Sequence, residues 1–185
     1  MMNPWHDFTS GKRPPEEVTA VIEIPSGSRN KYELDKETGS FRLDRVLYSS
    51  VHYPGDYGFI PRTLAEDGDP ADILVLIGEP TFPGCCINTR PIGLLRMLDR
   101  GEPDAKVLAV PADDPFKHES CEIDDLEPHI LKEIAHFFEV YKDLEGKRVQ
   151  VLGWEPRVAA EREILESIQR YRERFSAAIA AAEIN

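Results

Sequence analysis

Residues 66–77 read EDGDPADILVLI, an acidic turn followed directly by five apolar residues. The apolar run, 73–77, has the length of a buried strand. Gly68 and Pro70 make the backbone turn sharply, which allows the carboxylates of Asp67, Asp69 and Asp72 to point toward one place. The stretch therefore predicts a β-strand that begins beside a group of acids.

Other short segments on both sides of this stretch are typical of strands separated by turns. They are residues 18–24, 31–34, 41–47, 92–98, 106–110 and 149–154. The segments 31–34 and 41–47 flank the turn sequence DKETG and predict a hairpin. The segments 92–98 and 106–110 predict a second pair around another acidic turn, 99–104.

Two further segments predict helices, over 126–144 and 156–183. Apolar residues recur at helical spacing in the first, Gly146 follows its end, and Pro156 suits the first turn of the second. Residues 1–15 predict an amino-terminal arm. Short strands followed by two helices favour an α+β, mainly β fold, in which a closed or nearly closed barrel carries the two helices on its outside.

Length and charge limit the classes of function. With 185 residues, the chain is expected to form a single domain spanning 1–185. Aspartate and glutamate number 34 against 22 lysines and arginines, which gives a net charge of -12. That balance argues against nucleic-acid and membrane partners, which require a basic face, and it favours cations.

The sequence also predicts neither a membrane span nor a secretory signal peptide. No apolar run approaches the roughly 20 residues that span a bilayer, and residues 1–15 lack the apolar core of a signal peptide. The three cysteines form no CxxC pair and no zinc-type spacing. We expect reduced thiols and a cytoplasmic protein.

The acids of the turn 66–72 have two interpretations. Aspartate, glycine and proline are ordinary turn residues, and neither an EF-hand loop nor a phosphate-binding GxxxxGK[ST] loop is present. Carboxylates that converge, however, repel unless cations join them, and magnesium is the hard cation that a few carboxylates, water and phosphate bind together. Side chains suited to phosphate also occur along the chain: Lys31, Arg45, Tyr53, Tyr57, Lys106, Tyr141 and Lys142.

These residues stand in an order that resembles the soluble, magnesium-dependent inorganic pyrophosphatases known as family I. The family's aspartate loop, D-x-D-P-x-D, is present as DGDPAD over 67–72. The other matching stretches are IEIP at 22–25, KYE at 31–33, DR at 44–45, YPGDYG at 53–58, DAK at 104–106, HFF at 136–138 and YKDL at 141–144. Two positions depart from the pattern: Ala71 replaces a larger aliphatic residue, and Arg100 stands where a second acid is common.

The resemblance implies a five-stranded closed barrel similar to an OB-fold and a homohexamer. It also implies hydrolysis of inorganic diphosphate to two phosphates, with water activated by several magnesium ions, for which manganese is a substitute. The implied metal ligands are Glu33, Asp67, Asp72, Asp99 and Asp104. The implied substrate-binding residues are Lys31, Arg45, Tyr57, Lys106, Tyr141 and Lys142.

The remaining implied roles concern proton transfer and support of the site. Asp69 is the expected base that takes or orients the proton of the attacking water. Glu23 and Tyr53 are expected directly behind the residues that touch metal and substrate. Three alternatives stay open at this stage: an OB-like binding module, a metal-dependent phosphohydrolase acting on organic phosphates or nucleotides, and an inactive relative.

Overall fold

The computed structural model describes residues 2–117 and 119–182, except for the side chains of 177–182. The described residues form eight strands, three α-helices and two short 3₁₀ turns. The strands are β1 (Val18–Ile24), β2 (Asn30–Leu34), β3 (Phe41–Val46), β4 (Asp56–Phe59), β5 (Asp72–Val75), β6 (Cys86–Asp99), β7 (Glu102–Pro111) and β8 (Val149–Pro156). The helices are α1 (Pro4–Asp7), α2 (Pro128–Val140) and α3 (Arg157–Ala182), and the 3₁₀ turns are Ile123–Asp125 and Asp143–Glu145.

Six strands form one sheet in the order β1-β4-β5-β7-β6-β8, and β1 also pairs with β6. The hydrogen-bonded pairs thus run from β1 through β4, β5, β7 and β6 back to β1. Most of these pairs are antiparallel, whereas β5 and β7 run parallel, with Asp72 opposite Lys106. The hairpin β2–β3 forms a separate two-stranded sheet.

A tight turn joins β6 to β7. Asp99 pairs with Glu102, so only Arg100 and Gly101 lie in the turn, with φ values of 53° and 88°. Two successive positive φ values match the twist of a two-residue hairpin. The predicted turn over 99–104 was too long, because Asp99 and residues 102–104 continue the two strands and are hydrogen-bonded across them.

The two long helices cover different parts of the sheet. Aromatic residues of α2, Phe137 and Phe138, are buried with Tyr53 and Tyr57 in one cluster. Ile164 and Ile168 of α3 pack on apolar side chains of β1, β5, β6 and β7 in a second cluster. Each helix thus buries one apolar stripe, as its sequence periodicity indicates.

The amino-terminal arm packs on the body of the protein. The Asn3 side chain accepts a hydrogen bond from the Trp5 backbone at 3.0 Å and caps α1. Trp5 is buried against Tyr171 of α3, and its indole nitrogen donates to the Thr63 carbonyl at 2.8 Å.

The mainly β fold with few helices is confirmed, and several boundaries differ from prediction. Strand β4 was not predicted, and β5 begins at Asp72 and ends at Val75 rather than covering 73–77. Helix α2 is shorter than the predicted helix over 126–144, because a 3₁₀ turn lies on each side of it. Helix α3 begins after Pro156, because that proline is the last residue of β8. Residue 183, the predicted last residue of this helix, lies outside the described residues.

Two further properties bear on the sequence predictions. None of the helices in the described ranges is both long enough and apolar enough to cross a membrane. Cys85 and Cys86, adjacent in sequence, are not joined in a disulfide bond.

Candidate active site

A polar cavity of about 360 Å³ opens between the β2–β3 hairpin, the loop before β5 and the ends of β6 and β7. Every residue with a predicted catalytic, metal or substrate role lines it: Lys31, Glu33, Arg45, Tyr57, Asp67, Asp69, Asp72, Asp99, Asp104, Lys106, Tyr141 and Lys142. Glu23, predicted to lie behind the ligands, lines it as well. Residues far apart in sequence therefore meet at one place.

The parallel pairing of β5 with β7 builds the centre of this cavity. Because Asp72 lies opposite Lys106 across the two strands, their side chains meet. Asp104 precedes Lys106 by two residues in β7 and therefore lies on the same face of the strand. The Lys106 ammonium ion-pairs with Asp72 and lies 2.6 Å from Asp104 Oδ1. A buried cation thus already bridges two of the predicted metal ligands.

The acids and the lysine influence one another's protonation. Burial raises the pKa of Asp104 above its usual value, with the charges of Asp72 and Asp67 adding to the rise against the lowering by Lys106. Burial likewise raises the pKa of Asp67. Burial alone would lower the pKa of Lys106, but the carboxylates of Asp72 and Asp104 hold it well above its usual value. Excess negative charge therefore makes the centre a place that favours cations.

Asp99, at the end of β6, lies opposite Lys142, which follows α2. The Lys142 ammonium is 2.6 Å from Asp99 Oδ2 and 5.0 Å from the centre of the Tyr141 ring. The other oxygen, Asp99 Oδ1, is buried and accepts no hydrogen bond within the described ranges; Arg100 Nε is 3.8 Å away. A buried carboxylate oxygen without a donor can accept a cation or a water molecule.

The β2–β3 hairpin supplies the opposite wall. Lys31 ion-pairs with Glu33 and lies 3.7 Å from Asp44. Its cross-strand partner Arg45 ion-pairs with Asp44 and with Glu145. The wall therefore presents cations that are held in place by acids.

Glu23 of β1 lies at the base of the cavity. It accepts a hydrogen bond from the Leu34 backbone at 2.8 Å. Burial raises the pKa of Glu23 to about 8, although that hydrogen bond opposes the rise. Near neutral pH this side chain is therefore mainly uncharged.

Aromatic side chains close the cavity on the α2 side. Lys106 Nζ lies 5.7 Å from the centre of the Tyr57 ring, and Tyr57 packs on Tyr53 with 5.4 Å between ring centres. Tyr53 is buried and does not line the cavity, so it supports Tyr57 from behind. Burial raises the pKa of both phenols well above the usual value, and both hydroxyls therefore stay protonated.

Asp69 lies on the exposed side of the cavity. Its backbone donates to Asp67 Oδ1 at 3.0 Å, and its carboxylate ion-pairs with Lys36 at the tip of the hairpin. Lys36 Nζ is also 5.5 Å from the centre of the Trp5 ring, so the arm, the hairpin and the acidic loop meet here.

Within residues 2–117 and 119–182, no three Asp, Glu, His or Cys side chains converge closely enough to form a metal site by themselves. Lys106 lies between Asp72 and Asp104 and offsets part of their negative charge. The acids thus share one cavity, but their oxygens are arranged around an ammonium group.

Some residues of the cavity were not predicted. The charged residues and tyrosine among them are Tyr32, Lys36, Arg100 and Lys147, and Glu145 lies just behind them. Tyr32 lies inside the KYE match and Lys36 lies three residues after it, so proximity to this match was the available signal. Glu145 and Lys147 belong to the turn after α2, where charged residues are indistinguishable from solvated surface in the sequence.

Carboxylates suited to hard cations, beside ammonium, guanidinium and phenol groups suited to phosphate, define an enzyme-like site for phosphate chemistry in a mainly β protein. The family model described as inorganic pyrophosphatase matches residues 20–172. The chain therefore belongs to the inorganic pyrophosphatase family, and the family and enzyme class predicted from the sequence are confirmed.

Individual relatives agree with this assignment. The inorganic pyrophosphatase of Geobacillus stearothermophilus is 60% identical over 156 residues, which cover 84% of this chain and 94% of that protein. The inorganic pyrophosphatase of Haloferax volcanii is 49% identical over 177 residues, covering 95% and 100%. The crystal structure of the inorganic pyrophosphatase from Thermus thermophilus superposes with a TM-score of 0.89 at 48% identity, covering 92% of this chain and 99% of that chain.

Proposed function

We propose that the cavity hydrolyses inorganic diphosphate to two phosphates with the help of several magnesium ions. The observation that carries the proposal is the buried Lys106 ammonium between Asp72 and Asp104, with Asp67 beside them. These clustered carboxylates favour a bound cation, and they lie at the wall of a cavity large enough for a small anion. Family membership supports the choice of reaction.

The donor groups fit magnesium. The lining offers several carboxylate oxygens, burial raises the pKa values of Asp67 and Asp104 and thereby favours a compensating positive charge, and Asp99 Oδ1 is buried without a donor in the described part of the chain. The residues that would hold the ions are Glu33, Asp67, Asp72, Asp99 and Asp104. When bound, such ions lower the pKa of water and neutralise phosphate charge, and manganese is a substitute with similar chemistry.

Asp69 acts as the base in this proposal. Its carboxylate lies on the exposed side of the same loop as Asp67 and Asp72, where solvent water enters. It accepts or orients the proton of the water that attacks phosphorus. Neither a serine nor a cysteine lines the cavity within the described ranges, so direct attack by water is the simplest chemistry.

The remaining lining residues bind and orient the substrate. Cationic and phenolic groups on two facing walls hold the phosphate oxygens, and they neutralise the charge that develops on the leaving phosphate. These groups are Lys31, Arg45, Tyr57, Lys106, Tyr141 and Lys142. Tyr53 supports Tyr57 from behind, and Glu23 lines the cavity beside the residues that would touch metal and substrate.

We also infer the larger-scale properties implied by the family resemblance. The cyclic pairing of β1, β4, β5, β7 and β6 supports a closed five-stranded, OB-like barrel. One domain over 1–185, a homohexamer in the cytoplasm, and no nucleic-acid or membrane partner complete the proposal; the net charge of -12 supports the last of these.

The direct experiment measures phosphate release from diphosphate with magnesium, with manganese and with EDTA. We expect turnover with magnesium and loss of turnover on chelation. ATP and p-nitrophenyl phosphate serve as comparison substrates under the same conditions. Equal or faster release from either organic phosphate would contradict the proposed substrate, and activity that persists in EDTA would contradict the metal requirement.

A further inference from the structure

One buried carboxylate holds two cations of the cavity without lining the cavity itself. Glu145 lies in the 3₁₀ turn Asp143–Glu145 that follows α2, and its side chain is 5% exposed. It accepts from Arg45 Nε at 2.9 Å and from Lys147 Nζ at 2.8 Å. Both cations line the cavity.

Arg45 needs an external support because of where it lies in the fold. It belongs to β3, which pairs only with β2 in a two-stranded sheet among the described strands. Its other carboxylate partner, Asp44, is the preceding residue and moves with the same hairpin. Glu145 comes from a different part of the chain, 100 residues away, and therefore fixes Arg45 relative to the α2 side of the cavity.

The hydrogen bonds also restrict the orientation of the guanidinium. Nε donates to Glu145 and Nη1 to Asp44. Nη2 and the second N–H of Nη1 are then the donors that these two bonds leave for a phosphate oxygen. Because a guanidinium is planar, fixing two of its nitrogens also fixes the direction of the third.

We propose that Glu145 is a positioning residue for diphosphate hydrolysis: it orients Arg45 toward the substrate, and Lys147 balances its charge. The inference rests on the proposed function, in particular on the role of Arg45 as a phosphate ligand. Burial opposes ionisation of Glu145, but the hydrogen bonds from Lys147 and Arg45 hold its pKa below the usual value. The carboxylate is therefore charged at neutral pH.

The test replaces Glu145 by glutamine, which keeps the shape but turns one acceptor into a donor. We expect Glu145→Gln to lower kcat/KM for magnesium diphosphate about ten- to a hundred-fold, mainly through a higher KM. Glu139→Gln is the matched control, because Glu139 is exposed on α2 and does not line the cavity. Its kcat/KM is expected to stay within about twofold of the unaltered protein.

A double-mutant cycle with Arg45→Met separates positioning from general destabilisation. If Glu145 acts through Arg45, Glu145→Gln changes KM less than about twofold once Arg45 is absent. The same loss with and without Arg45 would overturn the inference, as would a fall in kcat with unchanged KM that tracks the amount of folded protein.

The cycle also distinguishes this inference from the function beneath it. If the unaltered protein released no phosphate from diphosphate, the proposed function itself would fail. If Arg45→Met raised KM and Glu145→Gln did not, only the role of Glu145 would be overturned. An unchanged KM in Arg45→Met would overturn the role of Arg45 and, with it, that of Glu145.

Discussion

Asp69 differs from Asp72 and Asp104 in its surroundings. Asp72 and Asp104 both pair with the buried Lys106, whereas Asp69 is exposed and pairs with Lys36, which is itself 43% exposed. An exposed ion pair is weak and opens readily. The carboxylate of Asp69 is therefore available to a water molecule, which fits a base better than a ligand held between strands.

Replacing Asp69 by asparagine should remove the base and leave the fold intact. We expect a loss of about two to four orders of magnitude in kcat at saturating magnesium. The measurement is the rate of phosphate release across a range of pH. The control is Glu66→Gln, in the same exposed loop, for which little change is expected. A folded Asp69→Asn protein with nearly full kcat at every pH would contradict the assignment.

Glu23 predicts a pH-dependent effect on stability. Its pKa is raised from 4.5 to about 8 by burial, so its contribution to stability is complete below pH 4.5 and is lost as pH rises through 8. Glutamine keeps the acceptor for the Leu34 amide and stays neutral. Glu23→Gln should therefore stabilise the metal-free protein by on the order of 2–5 kcal/mol near about pH 9, with no gain near about pH 4.

Chemical denaturation in EDTA at both pH values measures this difference. Glu79→Gln, an exposed position, is expected to show no pH-dependent gain. An equal gain for Glu23→Gln at both pH values would show that packing, and not ionisation, is responsible.

At this scale the family resemblance, and not the acidic turn by itself, pointed to the residues that line the cavity, because aspartate, glycine and proline are also ordinary turn residues. Glu145 and Lys36 could not be identified, since a charged residue in a turn is solvated in most proteins. Their significance arises only from the partners that the fold brings to them, one of which is 100 residues away.

Among the elements, β4 is a short strand whose backbone lies very close to that of β1. Gly58 lies opposite Ile22 of β1, and a Cβ at this position would lie 1.9 Å from the Val21 carbonyl oxygen. The backbone of β1 cannot yield without breaking its pairing with β4. The close approach of these two strands therefore requires glycine.

Gly58→Ala should consequently destabilise the protein by about 2–3 kcal/mol. It should also lower activity, because Tyr57 in the cavity is the adjacent residue. Gly78→Ala is the control: a Cβ there meets nothing within 4 Å. Thermal unfolding of both variants measures the effect, and a similar melting temperature for Gly58→Ala and the unaltered protein would contradict the predicted clash.

Elements with a long run of periodically spaced apolar residues could be predicted from the sequence, whereas elements with only a short run could not. The four residues of β4 include Asp56 and Gly58, which are turn residues by composition, so no strand pattern was visible. Strand β6 begins at Cys86, six residues before the predicted start, because Pro91 interrupts the pattern. The chain accommodates this proline with a change of register between Pro91 and Gly93.

In the molecule as a whole, the amino-terminal arm joins the body at an aromatic contact with α3. His6 Nδ1 lies 2.7 Å from the Tyr171 hydroxyl, and its ring stacks on Trp5 with 4.5 Å between centres. Burial lowers the pKa of His6 from 6.5, with Arg62 adding to the effect against Asp7. The folded protein thus favours the neutral imidazole.

The contribution of His6 to stability is therefore complete above pH 6.5 and is lost as pH falls through its lower folded value. His6→Asn should show a smaller fall in melting temperature between about pH 7.5 and about pH 5 than the unaltered protein. His129→Asn, in which an exposed histidine of α2 is replaced, serves as the control. Identical pH dependence in all three proteins would contradict the role of His6.

The chain topology was the least predictable property. Strand positions alone do not determine which strands become neighbours, and the contact of β5 with β7 joins segments separated by the whole of β6. The pattern of short strands favoured a closed or nearly closed barrel, and the family resemblance added five strands and an OB-like form, but the local patterns did not specify the pairing of β5 with β7. Long-range pairing depends on total burial and therefore leaves no local signature.

The parallel pairing of β5 with β7 also has a consequence for the order in which the protein folds. The hairpin β6–β7 closes through a two-residue turn and can form early, but Asp72 meets Lys106 only after a much longer loop has closed. Catalytic competence should consequently arise late during folding and vanish early under mild denaturant. The rate of turnover would then fall at denaturant concentrations at which the circular dichroism signal, which mainly senses the surviving local structure, is still unchanged.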